Sequence, residues 1–121
     1  MATVRYLVHD VGLAVEFYTS SLGFELKQQF GPAIAILHRD DLTLWVAGPM
    51  ASASRPMPDG TKPEPGSWNR FVLTVDDLPR FVETLRARGM KFRNEIVEGP
   101  GGSQILCEDP SGNVVELFQP A

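Results

Sequence analysis

The chain has 121 residues, 43% hydrophobic and 21% charged, with 11 basic against 15 acidic side chains and a formal net charge of −4. This length predicts one domain over residues 1–121 that folds without a disulfide or structural metal, and it excludes a large multidomain enzyme. The single cysteine excludes an internal disulfide. The basic residues are scattered, which argues against nucleic acid as a partner, and the lack of a long apolar run argues against a membrane. We therefore expect a cytoplasmic protein.

The first part of the chain, module one over about residues 1–47, predicts the element order βαβββ. A β-branched and aromatic run over 4–8 indicates a strand, and Asp10 then suits a helix N-cap because its carboxylate can accept a hydrogen bond from a free amide of the first turn. Apolar residues recur at helical spacing over 11–22, and Gly23 supplies a stop. Three further strands are predicted over 24–30, 34–37 and 42–46.

A connector over residues 48–66 separates the two halves of the chain. It holds five of the ten prolines of the chain, together with glycine and serine, so we expect no regular structure there. Connections of this length inside a compact domain are usually linkers or functional lids, and both alternatives remain open.

Module two, over about residues 67–121, repeats the first pattern. Val75-Asp76-Asp77-Leu78 matches Val8-His9-Asp10-Val11 at an offset of 67 positions. A strand is predicted over 71–75, a helix from Asp77 to a stop at Gly89, and strands over 91–97, 104–107 and 114–118. In both modules a short polar turn joins the last two strands, so these should form antiparallel hairpins.

These motifs carry a family resemblance across essentially the whole chain. Val8-His9-Asp10-Val11, Phe17-Tyr18 and Leu22-Gly23-Phe24, followed near the end by Asp-Pro-Ser-Gly-Asn-Val-Val-Glu-Leu over 109–117, resemble the vicinal-oxygen-chelate superfamily. That superfamily includes glyoxalase I, extradiol dioxygenases, and fosfomycin and bleomycin resistance proteins. The resemblance implies an α+β fold in which two tandem βαβββ modules form a U-shaped, partly closed mixed β-sheet, with helices outside and the ligand in the concave cleft.

The resemblance also implies where a metal ion would be held. Metal-dependent members use side chains on the first and last strand of each module, and these positions correspond to Thr3, Arg70, Glu116 and either Leu44 or Trp45. Only Glu116 is a usual ligand, whereas zinc and non-haem iron sites need about three or four protein ligands. We therefore expect no metal and no other cofactor. A divalent metal would require recruitment of both histidines, which are more simply explained as solvent-facing or bonded to local backbone.

Arg70 and Glu116 are the predicted catalytic or binding pair. Both positions would converge on one ion in a metalloenzyme, so here a guanidinium should approach a carboxylate. We predict a charge-assisted pair in which Arg70 binds a substrate carboxylate, enolate or phenolate. The alternative is that the pair only closes the centre of the sheet without touching a ligand. In either case, truncation of Arg70 should lower stability.

Strand alternation gives the remaining candidate ligand-binding residues. Apolar residues on one face of each strand should pack beneath the helices, leaving the other face for the cleft. The residues assigned to the cleft are Thr3, Arg5, Leu44, Thr74, Val114 and Phe118. Trp45 and Trp68 are candidates for stacking on a planar ligand, with a core or interface role as the alternative.

Three functions remain open, and the sequence does not decide whether the protein is an enzyme. The first is a metal-free protein that binds a small organic ligand, as in the bleomycin-resistance branch. The second is a metal-independent lyase, isomerase or hydrolase in which a free Glu116 is the general base and Arg70 or Arg5 stabilises an oxyanion. The third is a glyoxalase-type or dioxygenase-type metalloenzyme with other ligands. The resemblance also implies a homodimer, and Cys107 has no activating partner in the sequence.

Overall fold

The computed structural model describes residues 2–121, in which two helices and two mixed β-sheets give an α+β fold. The sheets have four and five strands. Contacts divide the chain into two compact units. The first unit takes the chain up to Gly66 together with Pro110–Asn113, and the second takes Ser67–Asp109 and Val114–Ala121. The turn that links the last two strands therefore belongs to the first unit.

The first unit has the predicted element order. Its elements are β1 (Ala2–Leu7), α1 (Val11–Ser21), β2 (Glu25–Phe30), β3 (Ile34–Arg39) and β4 (Leu42–Ala47). The strands lie in the order β1–β4–β3–β2, with β1 parallel to β4 and the other neighbours antiparallel. The predicted β3–β4 hairpin is confirmed. Its turn places Asp40 at a φ of 52°, a left-handed conformation that aspartate adopts more readily than most residues.

Helix α1 begins and ends where the sequence predicts. The Asp10 carboxylate accepts a hydrogen bond of 2.9 Å from the Leu13 amide, which satisfies one free donor of the first turn. Helix α1 packs on β2, β3 and β4 through a face that includes the fully buried Tyr18. The Tyr18 ring meets Phe24 edge to face, with centroids 5.3 Å apart. Burial of this aromatic pair stabilises the first unit.

The second unit contains β5 (Phe71–Thr74), α2 (Leu78–Ala87), β6 (Lys91–Phe92), β7 (Val97–Gly99), β8 (Gly102–Glu108) and β9 (Val114–Pro120). The strands follow the order β5–β9–β8–β6, and β7 also pairs with β8. Strand β5 is parallel to β9, and β8–β9 is the predicted antiparallel hairpin. Helix α2 is capped by Asp77 and packs on β9. Neither α1 nor α2 is long and apolar enough to cross a membrane.

The predicted strand over 91–97 is wrong as a single element, because the chain leaves the ladder after Phe92 and returns at Val97. The Asn94 side chain explains the break. Its Oδ1 accepts the amide of Leu106 at 3.0 Å, so a side chain takes the place of a backbone partner from the neighbouring strand. The result is two short strands, β6 and β7, on the same edge of β8.

The connector over 48–66 has only a short 3₁₀ turn at Ser52–Ser54 and is otherwise without helix or strand, close to the prediction. Its C-terminal end is nevertheless held by a hydrogen bond to a side chain. The amide of Gly66 donates to Oδ1 of the buried Asn113 at 2.8 Å, and Nδ2 of Asn113 donates to the Leu7 carbonyl at 2.7 Å. One asparagine thus holds the end of β1 and the end of the connector.

Candidate functional site

Glu116 lies on a face of the second sheet that extends across β5, β9 and β8. Val72 is opposite Glu116, and on its other side Glu116 is opposite Leu106. Because opposed residues of neighbouring strands project from the same side of a sheet, these three share one face. Thr74 and Phe118 oppose each other two residues further along, on the same face, as predicted. We call this surface, together with Arg70 at its edge, the Glu116 face.

Arg70 and Glu116 form the predicted ion pair. Nε of Arg70 lies 3.0 Å and Nη2 lies 2.9 Å from Oε1 of Glu116, so two donors converge on one carboxylate oxygen. The remaining Nη1 donates to the Trp68 carbonyl at 3.3 Å. The Arg70 side chain is 29% exposed and the Glu116 side chain 10%, so the pair is largely withdrawn from water but open on the arginine side. Charge-assisted bonds of this kind fix both side chains.

A second arginine lies beside this pair and was missed by the sequence analysis. The Arg93 guanidinium carbon is 4.5 Å from the ring centroid of Trp68, and Nε of Arg93 is 3.1 Å from Oε2 of Glu108. Lys91 reaches the other oxygen of Glu108 at 3.7 Å. The available signal was the alternation of Lys91 and Arg93, which places two basic side chains at strand spacing in a segment predicted as a strand.

The corresponding face of the first sheet carries Arg5 and Trp45. The two residues are opposite each other in the parallel β1–β4 pair, and the Arg5 guanidinium carbon lies 5.0 Å from the centroid of the Trp45 ring. Thr3 shares this face and opposes Thr43. The structure therefore brings three of the predicted first-module residues to one surface. Their roles in ligand binding stay predictions.

Two predicted cleft residues are placed differently by the structure. Leu44 is opposite Val4, one step out of phase with the Arg5–Trp45 pair, so it lies on the other face of the sheet and is fully buried. Its assignment beside Arg5 is wrong because the parallel register, which the sequence does not show, sets the face. Val114 has the predicted strand parity but is also fully buried, so it offers no accessible surface.

The residues at the four implied metal positions do not fit a divalent ion. Arg5 and Val72 are equivalent positions of the two modules, because each stands five residues before a helix-capping aspartate. Arg5 opposes Trp45, and Val72 opposes Glu116. Trp45 rather than Leu44 is therefore the counterpart of Glu116. Arg70 adds a fixed positive charge at a position where the resemblance implies a metal ligand. Within residues 2–121 no three His, Cys, Asp or Glu side chains group so that they could hold a metal ion.

Comparison with known proteins identifies the family. The model of the Glyoxalase/Bleomycin resistance protein/Dioxygenase superfamily matches residues 1–117. The chain belongs to this superfamily. Membership supports a small-molecule-binding protein, and the superfamily fold agrees with the α+β architecture described above. A search of curated proteins found no match.

Solved structures of other superfamily proteins have the same fold. TnmS3, an antibiotic-binding protein from Streptomyces sp. CB03234, is 27% identical with a TM-score of 0.76, and the alignment covers 98% of this chain and 93% of TnmS3. Lactoylglutathione lyase from Agrobacterium tumefaciens is 19% identical with a TM-score of 0.76, covering 98% and 92%. The bleomycin-binding protein of Streptomyces verticillus, solved with copper(II)-bleomycin, is 20% identical with a TM-score of 0.66, covering 99% and 95%.

Cys107 lies in β8, opposite Val115 and Phe92, and is fully buried. Burial, reinforced by the charges of Asp109 and Glu108, raises the pKa of its thiol from 9.0 to about 12. The thiolate fraction at pH 8 is therefore on the order of one in ten thousand, against about one in ten for a thiol at the ordinary value. This environment makes Cys107 unsuited to act as a nucleophile.

We expect Cys107 to resist a disulfide reagent such as 5,5′-dithiobis(2-nitrobenzoate) in the native protein at pH 8 and to react fully in urea. The reaction should follow the opening of the sheet, because the thiol is both buried and protonated. Release of the coloured thiolate measures the rate directly. Complete modification within the mixing time, without denaturant, would contradict the burial described here.

Proposed function

We propose that this protein binds a small organic ligand on the Glu116 face and does so without a metal ion. The observation that carries the proposal is the position of Arg70. It stands where metal-dependent members of the superfamily supply a ligand, and its guanidinium already holds Glu116 through two contacts of 3.0 and 2.9 Å. A fixed organic cation thus takes the place of a metal ion as the positive group of the site.

The chemistry of the Glu116 face favours a ligand that is partly apolar and carries an acidic group. The Arg70 side chain is 29% exposed, and its guanidinium can donate to a carboxylate, enolate or phenolate. Val72 is exposed and Phe118 is partly exposed, and both can contact a hydrophobic portion of the same molecule. The antibiotic-binding and bleomycin-binding proteins among the structural neighbours give a precedent for the binding of a small molecule by this fold.

The proposal predicts how the protein responds to metals. Protein purified without a histidine tag should contain far less than one equivalent of metal, and zinc, nickel, manganese or iron(II) should leave the thermal midpoint unchanged, because a ligand that binds only the folded state raises that midpoint. Glu116→Gln is the matched control. Near-stoichiometric metal, with a rise in midpoint that Glu116→Gln abolishes, would refute the proposal.

A direct binding experiment completes the test. A panel of small planar and anionic compounds is screened by thermal shift, and each hit is titrated by calorimetry against wild type, Arg70→Ala and Arg80→Ala. Arg80 is an exposed residue of α2, so its replacement removes the same charge elsewhere. Binding should fall in Arg70→Ala and persist in Arg80→Ala. Equal affinities for all three proteins would place the ligand away from Arg70.

A second candidate function is metal-independent proton abstraction by Glu116, as in a lyase or isomerase. One observation favours it: both Arg70 contacts fall on Oε1, so within residues 2–121 no hydrogen bond engages Oε2. That oxygen is available as a base while Arg70 faces the developing oxyanion. Glu116→Gln distinguishes the two functions, because it should abolish turnover of any substrate while retaining binding.

We also propose that the protein is a homodimer, on the basis of the superfamily resemblance, and that it is cytoplasmic, because its single cysteine forms no internal disulfide. Light scattering coupled to size-exclusion chromatography measures the mass directly, and a monomer at micromolar concentration would contradict the dimer.

A further inference from the structure

Trp68 is exposed and yet held in place. The residue is 67% exposed, which is unusual for a tryptophan outside a binding surface. One face of its ring is covered by the guanidinium of Arg93, whose central carbon is 4.5 Å from the ring centroid. Its backbone carbonyl accepts Nη1 of Arg70, and the carbonyl of the preceding Ser67 accepts Nη1 of Arg93, each at 3.3 Å. Because so much of Trp68 is exposed, the ring surface that Arg93 does not cover is open to solvent.

Arg93 is itself fixed by the sheet. Its Nε donates to Glu108 at 3.1 Å, its amide donates to the Leu106 carbonyl at 2.9 Å, and its side chain is only 21% exposed. Glu108 is also approached by Lys91, on the neighbouring strand β6. These contacts oppose movement of the guanidinium away from the indole, so they support the ring from below.

From these contacts we infer that Arg93, held by Glu108, is a positioning residue. It presents the open face of Trp68 as a stacking surface for a planar aromatic ligand whose acidic group reaches Arg70. The inference rests on the proposed binding function and specifies the class of ligand. Trp68 links the two arginines directly. Its backbone carbonyl accepts a hydrogen bond from Arg70, and its ring is covered by Arg93.

The balance of charge explains the preference for an anion. Five charged side chains form the two clusters, and the three basic ones, Lys91, Arg70 and Arg93, exceed the two acidic ones by one positive charge. A planar anion gains contact with this excess charge while its ring stacks on Trp68. Because the indole is already fixed, little conformational entropy is lost on binding.

The test uses three probes of related shape with the full chain: 2-naphthoate, the neutral 2-naphthamide, and the non-aromatic anion cyclohexanecarboxylate. Calorimetry should rank 2-naphthoate as the tightest. Trp68→Ala should weaken 2-naphthoate binding about 10-fold and Arg93→Met about 3-fold to 10-fold, with cyclohexanecarboxylate nearly unaffected by either. Arg93→Lys, which keeps the charge and part of the stacking, should fall between Arg93→Met and wild type.

Arg86→Met is the matched control. Arg86 covers the ring of Phe92 at 5.3 Å and pairs with Glu95, so it makes the same kinds of contact as Arg93 with a ring other than Trp68. Its replacement should leave the affinity for all three probes unchanged. If Arg86→Met and Arg93→Met weaken 2-naphthoate equally, the effect is a general loss of stability and the positioning role is refuted.

A spectroscopic measurement separates positioning from simple stability. In a Trp45→Phe background Trp68 is the sole tryptophan, so the decay of fluorescence anisotropy reports the motion of its ring alone. Arg93→Met should add a fast component that Arg86→Met does not, and unchanged motion would overturn the inference. So would equal affinity for 2-naphthoate and cyclohexanecarboxylate, or no binding of 2-naphthoate. If the proposed binding function itself is wrong, the result is different: Arg70→Ala would then bind every ligand with the same affinity as wild type.

Discussion

Replacement of Gly102 by alanine is expected to destabilise the protein by about 2 to 4 kcal/mol, a large effect for the addition of one methyl group. Gly102 begins β8, opposite Pro120, with a φ of 147°, a conformation that other residues rarely adopt. A Cβ at this position would overlap the backbone carbonyl oxygen of Gln119 and lie 3.0 Å from both Pro120 Cα and Phe118 Cζ. Two of these three neighbours are backbone atoms, so the clash cannot be relieved by rotating a side chain.

Gly101 provides the matched control for this experiment. It is the preceding residue in the same turn, and a Cβ added there would meet no atom within 4 Å. Gly101→Ala should therefore change the free energy of unfolding by less than about 0.5 kcal/mol. Urea denaturation of the two variants and wild type, followed by circular dichroism, measures the difference. Similar stability of the two variants would show that the β8–β9 strands can separate at this end without loss.

Arg70→Ala is expected to lower the free energy of unfolding by about 1 to 3 kcal/mol at neutral pH. The reason is the carboxylate that remains: Glu116 is only 10% exposed, and without Arg70 no other basic side chain of residues 2–121 pairs with it. The loss should be smaller than for a fully buried pair, because 29% of the Arg70 side chain already contacts water. Glu116→Gln should cost less, since the more exposed arginine is then the group left unpaired.

A double-mutant cycle tests the origin of the effect. If the cost of Arg70→Ala arises from the stranded charge, it should shrink when Glu116 is already glutamine, giving a coupling energy of about 1 kcal/mol or more. Urea titration of the four proteins provides all the values. Strictly additive losses would show that Arg70 stabilises the protein through its aliphatic stem or its bond to Trp68 instead.

Much of the fold could be predicted because its signals are local. Asp10 and Asp77 cap their helices through hydrogen bonds to amides three residues away, and left-handed glycines follow both helices. The break after Phe92 was not predictable in the same way. Asn94 competes for the amide of Leu106, twelve positions away, and no local pattern distinguishes that bond from an ordinary strand.

The candidate site could likewise be predicted only in part. The Arg70–Glu116 pair could be predicted because both positions follow from motifs that the superfamily shares. Leu44 was assigned to the wrong face because the choice between it and Trp45 depends on the register of β1 against β4. Arg93 was missed because its partners are the ring of Trp68, outside any strand, and Glu108 of β8. Contacts of these kinds depend on the assembled sheet.

The hydrogen bonds of Asn113 have a consequence for synthesis of the chain. The four strands of the first sheet are complete once β4 has left the ribosome, because the sheet contains only β1 to β4. The buried side chain that bonds Leu7 and Gly66 belongs to Asn113, which is made much later, after β8. The Leu7 carbonyl and the Gly66 amide must therefore wait for the turn between β8 and β9 before they gain this partner. The helix and sheet of this unit are thus made first, whereas these two tertiary hydrogen bonds form only after the chain has passed β8.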